Sequence, residues 1–280
     1  MTTYSLRNKV VFVTGAGRGL GAATARILTQ RGARVVLADI DADAAQRVAA
    51  TLPDGSAAYE ACDVTDLESV RAAVQHAVSI FGHVDIAIAN AGILGRTGTL
   101  RSMAPGDVAA VVDVNVNGVI NTLSATLDSV IANRGQVVVL SSVFAYFNGA
   151  GSIPYAMTKA AVEQIGRGLS VELATHGASA MVAYFALIDT DMIRNGVDSD
   201  PGAAALINAL PKVFSKKVSA EQAATALVEA LERRRRSVTF PAQWSRVAAV
   251  RGIAGPIGDV AMARRTPFRR ALLDVDTPLS

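Results

Sequence analysis

The stretch KVVFVTGAGRGLGAA, residues 9–23, decides the fold. Its Val-rich start, "KVVFVTG" (9–15), suits a buried strand that ends at a glycine. From Leu20 to about Gln30 the residues are helix formers rich in Ala. Between the two lie Gly15, Gly19 and Gly21, spaced G-x-x-x-G-x-G. A tight turn needs residues without a Cβ, and a pyrophosphate needs backbone N–H groups at close range. The helix N-terminus adds a dipole that favours an anion. A plain strand-to-helix turn is the bland alternative. The strand, glycine loop and helix in succession favour nucleotide binding over it.

Outward from this unit the same alternation repeats. Further strands are expected at 33–40, 57–64, 84–92, 135–143 and 178–187. Helices are expected at 41–52, 65–82, 105–132, about 155–175 and 219–234. Strict alternation with continuous apolar strands predicts an α/β fold, a Rossmann-type doubly wound parallel sheet with helices on both faces. Such sheets hold ligands at the carboxyl ends of their strands, where most of the unusual residues fall. Residues 1–232 are expected to form one domain, with 191–218 as a mobile substrate lid and 233–280 as an extension.

Composition limits the alternatives. Hydrophobic residues make up 51% of the 280-residue chain and charged residues 18%, which excludes global disorder. Cys62 is the single cysteine, so no internal disulfide can form. The start "MTTYSLRNKVVFVTG" lacks the pattern of a signal peptide, and a soluble cytoplasmic protein is expected. No metal site is expected. The net charge is +3, yet residues 233–280 carry ten Arg against three Asp, so the tail is +7 and the rest −4. Nucleic-acid binding is not expected, because no binding motif accompanies the Arg residues. Contact with a membrane surface is weighed for this tail. Packing over the substrate cleft or at a subunit interface is favoured, with Arg on the polar side.

Tyr155 and Lys159, four apart in "SIPYAMTKAA" (152–161), share a helix face. A phenol has a pKa near ~10, and an adjacent ammonium is expected to lower it until Tyr155 can exchange a proton with an alcohol oxygen. At the end of the fifth strand stand Ser141 and Ser142. Asn115 interrupts an apolar helix, which is costly unless its amide is hydrogen-bonded. Asp39, at the end of the second strand, can accept from ribose hydroxyls and repel a 2′-phosphate. Asp41 is the better candidate to cap the next helix.

The ordered glycine loop, Asp39, Asn90-Ala91-Gly92, Asn115, Ser142, Tyr155 and Lys159 together resemble the short-chain dehydrogenases/reductases, in their single-domain branch, over roughly residues 5–195. The resemblance selects Ser142, 13 residues before Tyr155, to hold the substrate oxygen. It gives Asn115 the water that links Lys159 to solvent. It assigns Gly15, Arg18, Gly19, Leu20, Gly21, Asp39, Asp63, Val64, Asn90, Ala91, Gly92, Tyr155, Lys159, Ile188 and Thr190 to the cofactor. Asp39 implies NAD; Arg18, before the second glycine of the motif, pulls towards NADP. The family's usual Pro-Gly after the sixth strand is here Phe185-Ala186, which implies an altered pocket shape. Leu94, Phe144, Phe147, Ala186 and Met192, together with Tyr146, Ile193 and Phe214, are the pocket candidates. The implied activity interconverts an apolar secondary alcohol and its ketone, in a homodimer or homotetramer. A non-catalytic nucleotide-binding protein is the rival class; its mark would be a broken Ser-Tyr-Lys set.

Overall fold

The computed structural model describes residues 3–277. The elements in chain order are β1 (Val10–Thr14), α1 (Gly19–Gln30), β2 (Arg34–Asp39), α2 (Ala42–Ala49), β3 (Ala57–Ala61), α3 (Leu67–Phe81) and β4 (Ile86–Ala89). They continue with α4 (Pro105–Val112), α5 (Gly118–Ala132), β5 (Gln136–Ser142), α6 (Ile153–Glu172), β6 (Ser179–Phe185), β7 (Ile188–Asp189) and α7 (Asp191–Ile193). The last elements are α8 (Pro201–Asn208), β8 (Val218–Ser219), α9 (Ala220–Glu232), β9 (Ser237–Phe240), α10 (Trp244–Arg264) and α11 (Thr266–Asp274). Seven strands form one parallel sheet in the order β3-β2-β1-β4-β5-β6-β9.

The sheet is apolar on both faces because helices cover both. Along β1, Phe12 belongs to the core on one side, while Val11 and Val13 belong to the core on the other. The central strands β1 and β4 therefore read as continuous apolar runs although their side chains alternate, whereas the edge strands β3 (AAYEA) and β9 (SVTF) are more polar and partly exposed. From β1 the chain moves outward to β2 and β3, then returns to place β4 beside β1. That reversal opens a crevice at the carboxyl ends of β1 and β4, where the glycine loop lies.

Three differences from the sequence reading matter for the site. The helix expected over 105–132 is broken by a π-helical turn at Asp113–Asn117, which carries Asn115. By length and composition the 105–132 run could cross a membrane. Here α5 packs on β4, β5 and α3. The insertion at 191–218 is largely helical, with α7, a π-helical turn at Arg194–Asp198 and α8. The tail does not stand apart from the sheet either: β9 supplies its seventh strand, paired with β6 from Val182↔Ser237 to Phe185↔Phe240.

Candidate functional site

The glycine loop is shaped by close backbone approach. Gly15 has φ 63°, a region an L side chain rarely enters. A Cβ on Gly21 would lie 2.2 Å from the Gly15 carbonyl oxygen and 2.8 Å from Asn90 Nδ2. Asn90 braces the loop from β4: its Nδ2 donates to the carbonyls of Thr14 and Gly15, both at 2.9 Å. Thr14 Oγ1 accepts in return from the N–H groups of Asn90 at 3.1 Å and Ala91 at 3.2 Å. The Asn90 side chain is thus committed to the loop, a bracing role in which Thr14 is the partner that motif reading missed. Leu20 and Ile188 pack their side chains against Ala23, Ala220 and Ala224. Thr190 stands across from the loop, its Cγ2 3.2 Å from where a Cβ on Gly19 would be.

At the end of β2, Asp39 is buried. Its Oδ2 accepts from Gly17 N–H at 2.8 Å and its Oδ1 from Asp41 N–H at 3.0 Å. Two backbone donors hold the carboxylate in one orientation beside the glycine loop. Asp41 caps α2 by accepting from Ala44 N–H. Arg18, in the same loop, is exposed. Asp63 closes its own turn, accepting from the N–H and hydroxyl of Thr65, and Val64 is buried against Gly118.

Tyr155 and Lys159 lie one turn apart on α6, and Ser142 ends the neighbouring β5. Ser142 and Tyr155 line the same pocket. Both serine hydroxyls also bond to backbone. Ser141 Oγ donates to the Lys159 carbonyl at 2.7 Å. Ser142 Oγ donates to the Phe185 carbonyl at 3.2 Å and accepts from Phe144 N–H at 3.2 Å. Asn115 is fully buried. Its Oδ1 accepts from Ile93 N–H at 2.8 Å, and its Nδ2 donates to the Ile93 carbonyl at 2.9 Å and to Thr158 Oγ1 at 3.1 Å. The π-helical turn makes this reach possible by displacing one residue out of the regular ladder. Gly92 lets the group converge: a Cβ there would sit 3.1 Å from Asn115 Oδ1 and 3.5 Å from Lys159 Nζ.

The electrostatics correct one expectation. The Tyr155 phenol lies above its ordinary value, not below it. Burial raises it, and the opposing influence is a hydrogen bond from the Ser142 side. Lys159 Nζ donates to the Leu140 carbonyl at 2.9 Å and lies 5.5 Å from the Tyr155 ring centroid. Burial alone brings the Lys159 ammonium down to about 8. A buried ammonium resting on one carbonyl keeps donors free for another partner.

The pocket in front of Ser142 and Tyr155 is apolar. Leu94, Phe144, Phe147, Ala186, Ile193 and Phe214 line it, and among the described residues no charged side chain does. Two candidates fall outside. Met192, on the outer side of the short α7, is 40% exposed, and the next residue, Ile193, takes the inward place. Successive helical residues point about 100° apart, so both cannot face in. Tyr146 is buried against Tyr184 instead, with the Arg251 guanidinium over its ring. Met262 and Phe268, from α10 and α11, complete the lining. No motif marks them, because they reach the pocket only through tertiary packing.

The residues fit a dinucleotide. No side chain caps α1 and no acidic residue occupies its first turn, so its leading N–H groups suit a pyrophosphate. Asp39 offers acceptors at one end of the crevice and Lys159 offers donors at the other. The comparisons with known proteins agree. The short chain dehydrogenase family matches residues 9–200. A cyclohexanol dehydrogenase of Acinetobacter sp. (strain SE19) is 33% identical over 189 residues, 66% of this chain and 75% of that protein. A cis-4-hydroxycyclohexanecarboxylate dehydrogenase of Sinomonas cyclohexanicum is 36% identical over 198 residues, 69% of this chain and 78% of that one. Among solved structures, a 3-ketoacyl-(acyl-carrier-protein) reductase from Brucella melitensis complexed with NADH superposes with a TM-score of 0.73 at 25% identity, covering 84% of this chain and 98% of that one. With that match across the sheet and the crevice, the chain belongs to the short-chain dehydrogenase/reductase family and is an NAD(P)-dependent oxidoreductase.

Proposed function

We propose that the protein interconverts an apolar secondary alcohol and its ketone with NAD(H). The observation that carries this reading is one pocket that holds Ser142 and Tyr155 in a wall with no charged side chain among the described residues. The nicotinamide, when bound, accepts or supplies the hydride. In the reduction direction the Tyr155 phenol, which burial keeps protonated, gives its proton to the carbonyl oxygen while Ser142 turns its hydroxyl from the Phe185 carbonyl to donate to the same oxygen, and oxidation runs the transfer in reverse. Lys159 holds ribose hydroxyls with its free donors and brings positive charge towards the phenol side. Asn115 and the Ile93 backbone position Lys159's surroundings and carry a water through which Tyr155 recovers its protonation state. Thr190 and the backbone of Ile188 face the carboxamide end, and Asp63 and Val64 the adenine end.

Asp39 supports NAD. Its orientation is set by two N–H donors, and a carboxylate so held repels a 2′-phosphate. Exposed Arg18 favours the second reading, an NADP-dependent ketoreductase. Apolar Ile120 on α5 and Met157 on α6 are exposed and support self-association as a homodimer or homotetramer. The test is a steady-state screen of cyclic and open-chain secondary alcohols and ketones with each cofactor. Turnover of neutral apolar substrates with at least tenfold preference for NAD(H) is expected. Activity confined to charged substrates, or a clear preference for NADPH, contradicts the reading.

A further inference from the structure

The C-terminal helices lie beyond the family match, which ends at residue 200, yet they reach the reaction pocket. Phe268 of α11 is buried with Leu206 of α8, and both line the pocket. Met262 of α10 joins the same cluster and the same lining. Several ties hold this segment in place. Arg251 of α10 forms an ion pair with buried Glu163, which lies on the same helix as Tyr155 and Lys159, with Nη1 to Oε2 at 2.7 Å. Arg265 Nε donates to the Ala209 carbonyl at 2.7 Å, just past α8. Asn148 Nδ2 donates to Asp259 Oδ1 at 2.7 Å. At the far end Asp276 accepts from Thr99 Oγ1 and from Arg101, whose Nε lies 3.2 Å away.

We propose that α10 and α11 form a latched cap over the substrate pocket and that Phe268 is a specificity-determining residue, limiting the size of the apolar substrate that the pocket admits. The inference rests on the apolar-alcohol reading above. The cap is anchored to the catalytic helix by Arg251, to the lid by Arg265 and to the 97–102 loop by Asp276. Its inner surface is therefore a built wall of the pocket. Phe268 is buried in one cluster with Leu206, Ala209 and Ala271, so moving its ring aside to admit a larger substrate disturbs the packing of the cap.

The test changes the size of that wall in both directions. Phe268→Leu and Phe268→Trp are compared with the parent using cyclohexanol and the bicyclic 2-decalol, with nucleotide affinity measured in parallel. The parent is expected to favour cyclohexanol in kcat/KM. Phe268→Leu should move the ratio about tenfold towards 2-decalol, and Phe268→Trp should move it the other way. Nucleotide Kd should stay within twofold in both. Ratios that do not move, or that move together in the two variants, overturn the cap as a size filter. If the tryptophan variant does not fold, the leucine variant alone decides on the same criterion. A parent inactive on both alcohols instead contradicts the function proposed above, so the two failures are distinguishable.

Discussion

The cofactor crevice and the substrate pocket meet at Tyr155, yet they are built by different physics. The crevice is made of backbone. Its glycines sit where a Cβ would collide with main-chain or short side-chain atoms, and Asn90, Thr14 and Asp39 spend their hydrogen bonds on holding the loop. The pocket is made of side chains from six or more segments, most of them apolar and none charged. The Phe147, Phe214 and Trp244 rings pack edge to face at one side of it, with centroids 5.0–5.7 Å apart. A region held by backbone collisions tolerates almost no change at its key positions. A region held by packing can be reshaped by single substitutions.

The largest effect should come from Gly21→Ala. The added Cβ meets the Gly15 carbonyl at 2.2 Å, and neither that backbone nor the Asn90 brace can move without opening the loop. A loss of about 3 kcal/mol in stability is expected, with nucleotide affinity reduced at least a hundredfold. Thermal unfolding and a nucleotide titration check this. A variant that binds nucleotide normally would break the contrast between the two regions.

Lys159→Met sharpens the contrast, since it should separate function from stability. Burial takes Lys159 from 10.5 to about 8. Between those values the unfolded chain holds a proton that the folded chain has released, so this group makes stability rise with pH across that window. Below pH 8 the folded protein carries the whole cost of a buried charge, roughly 3 kcal/mol. The methionine variant should therefore melt several degrees higher at pH 7, lose the pH slope between 8 and 10.5, and lose turnover by two orders of magnitude or more. A lower melting temperature at pH 7 would contradict the assignment. The smallest effect on stability belongs to the pocket side: Phe268→Leu should cost only about 1 kcal/mol while shifting substrate preference.

This difference in construction also explains what the sequence revealed. The strand alternation, the glycine loop, Asp39 and the Ser142-Tyr155-Lys159 set are readable because each depends on local spacing and on residue types that backbone geometry demands. Asn115 was legible as a buried polar residue, but the π-helical turn that aims it was not, because one extra residue in a helix leaves no compositional trace. The direction of the Tyr155 shift is not legible in the sequence, because burial of the phenol leaves no mark on the local spacing that pairs it with Lys159. Met262 and Phe268 were invisible, since nothing local distinguishes a helix residue that faces a pocket from one that faces a core. The seventh strand, β9, was missed for a related reason: "SVTF" is short, follows four arginines, and gains its place only by pairing with β6.

The central claim is that Tyr155 exchanges the substrate proton in a crevice that binds nucleotide independently of it. The direct measurement is Tyr155→Phe, assayed for turnover of cyclohexanol and for NADH affinity by fluorescence titration. Loss of the hydroxyl should lower kcat by about a thousandfold while NADH Kd changes less than threefold. Turnover within tenfold of the parent would show that another group moves the proton.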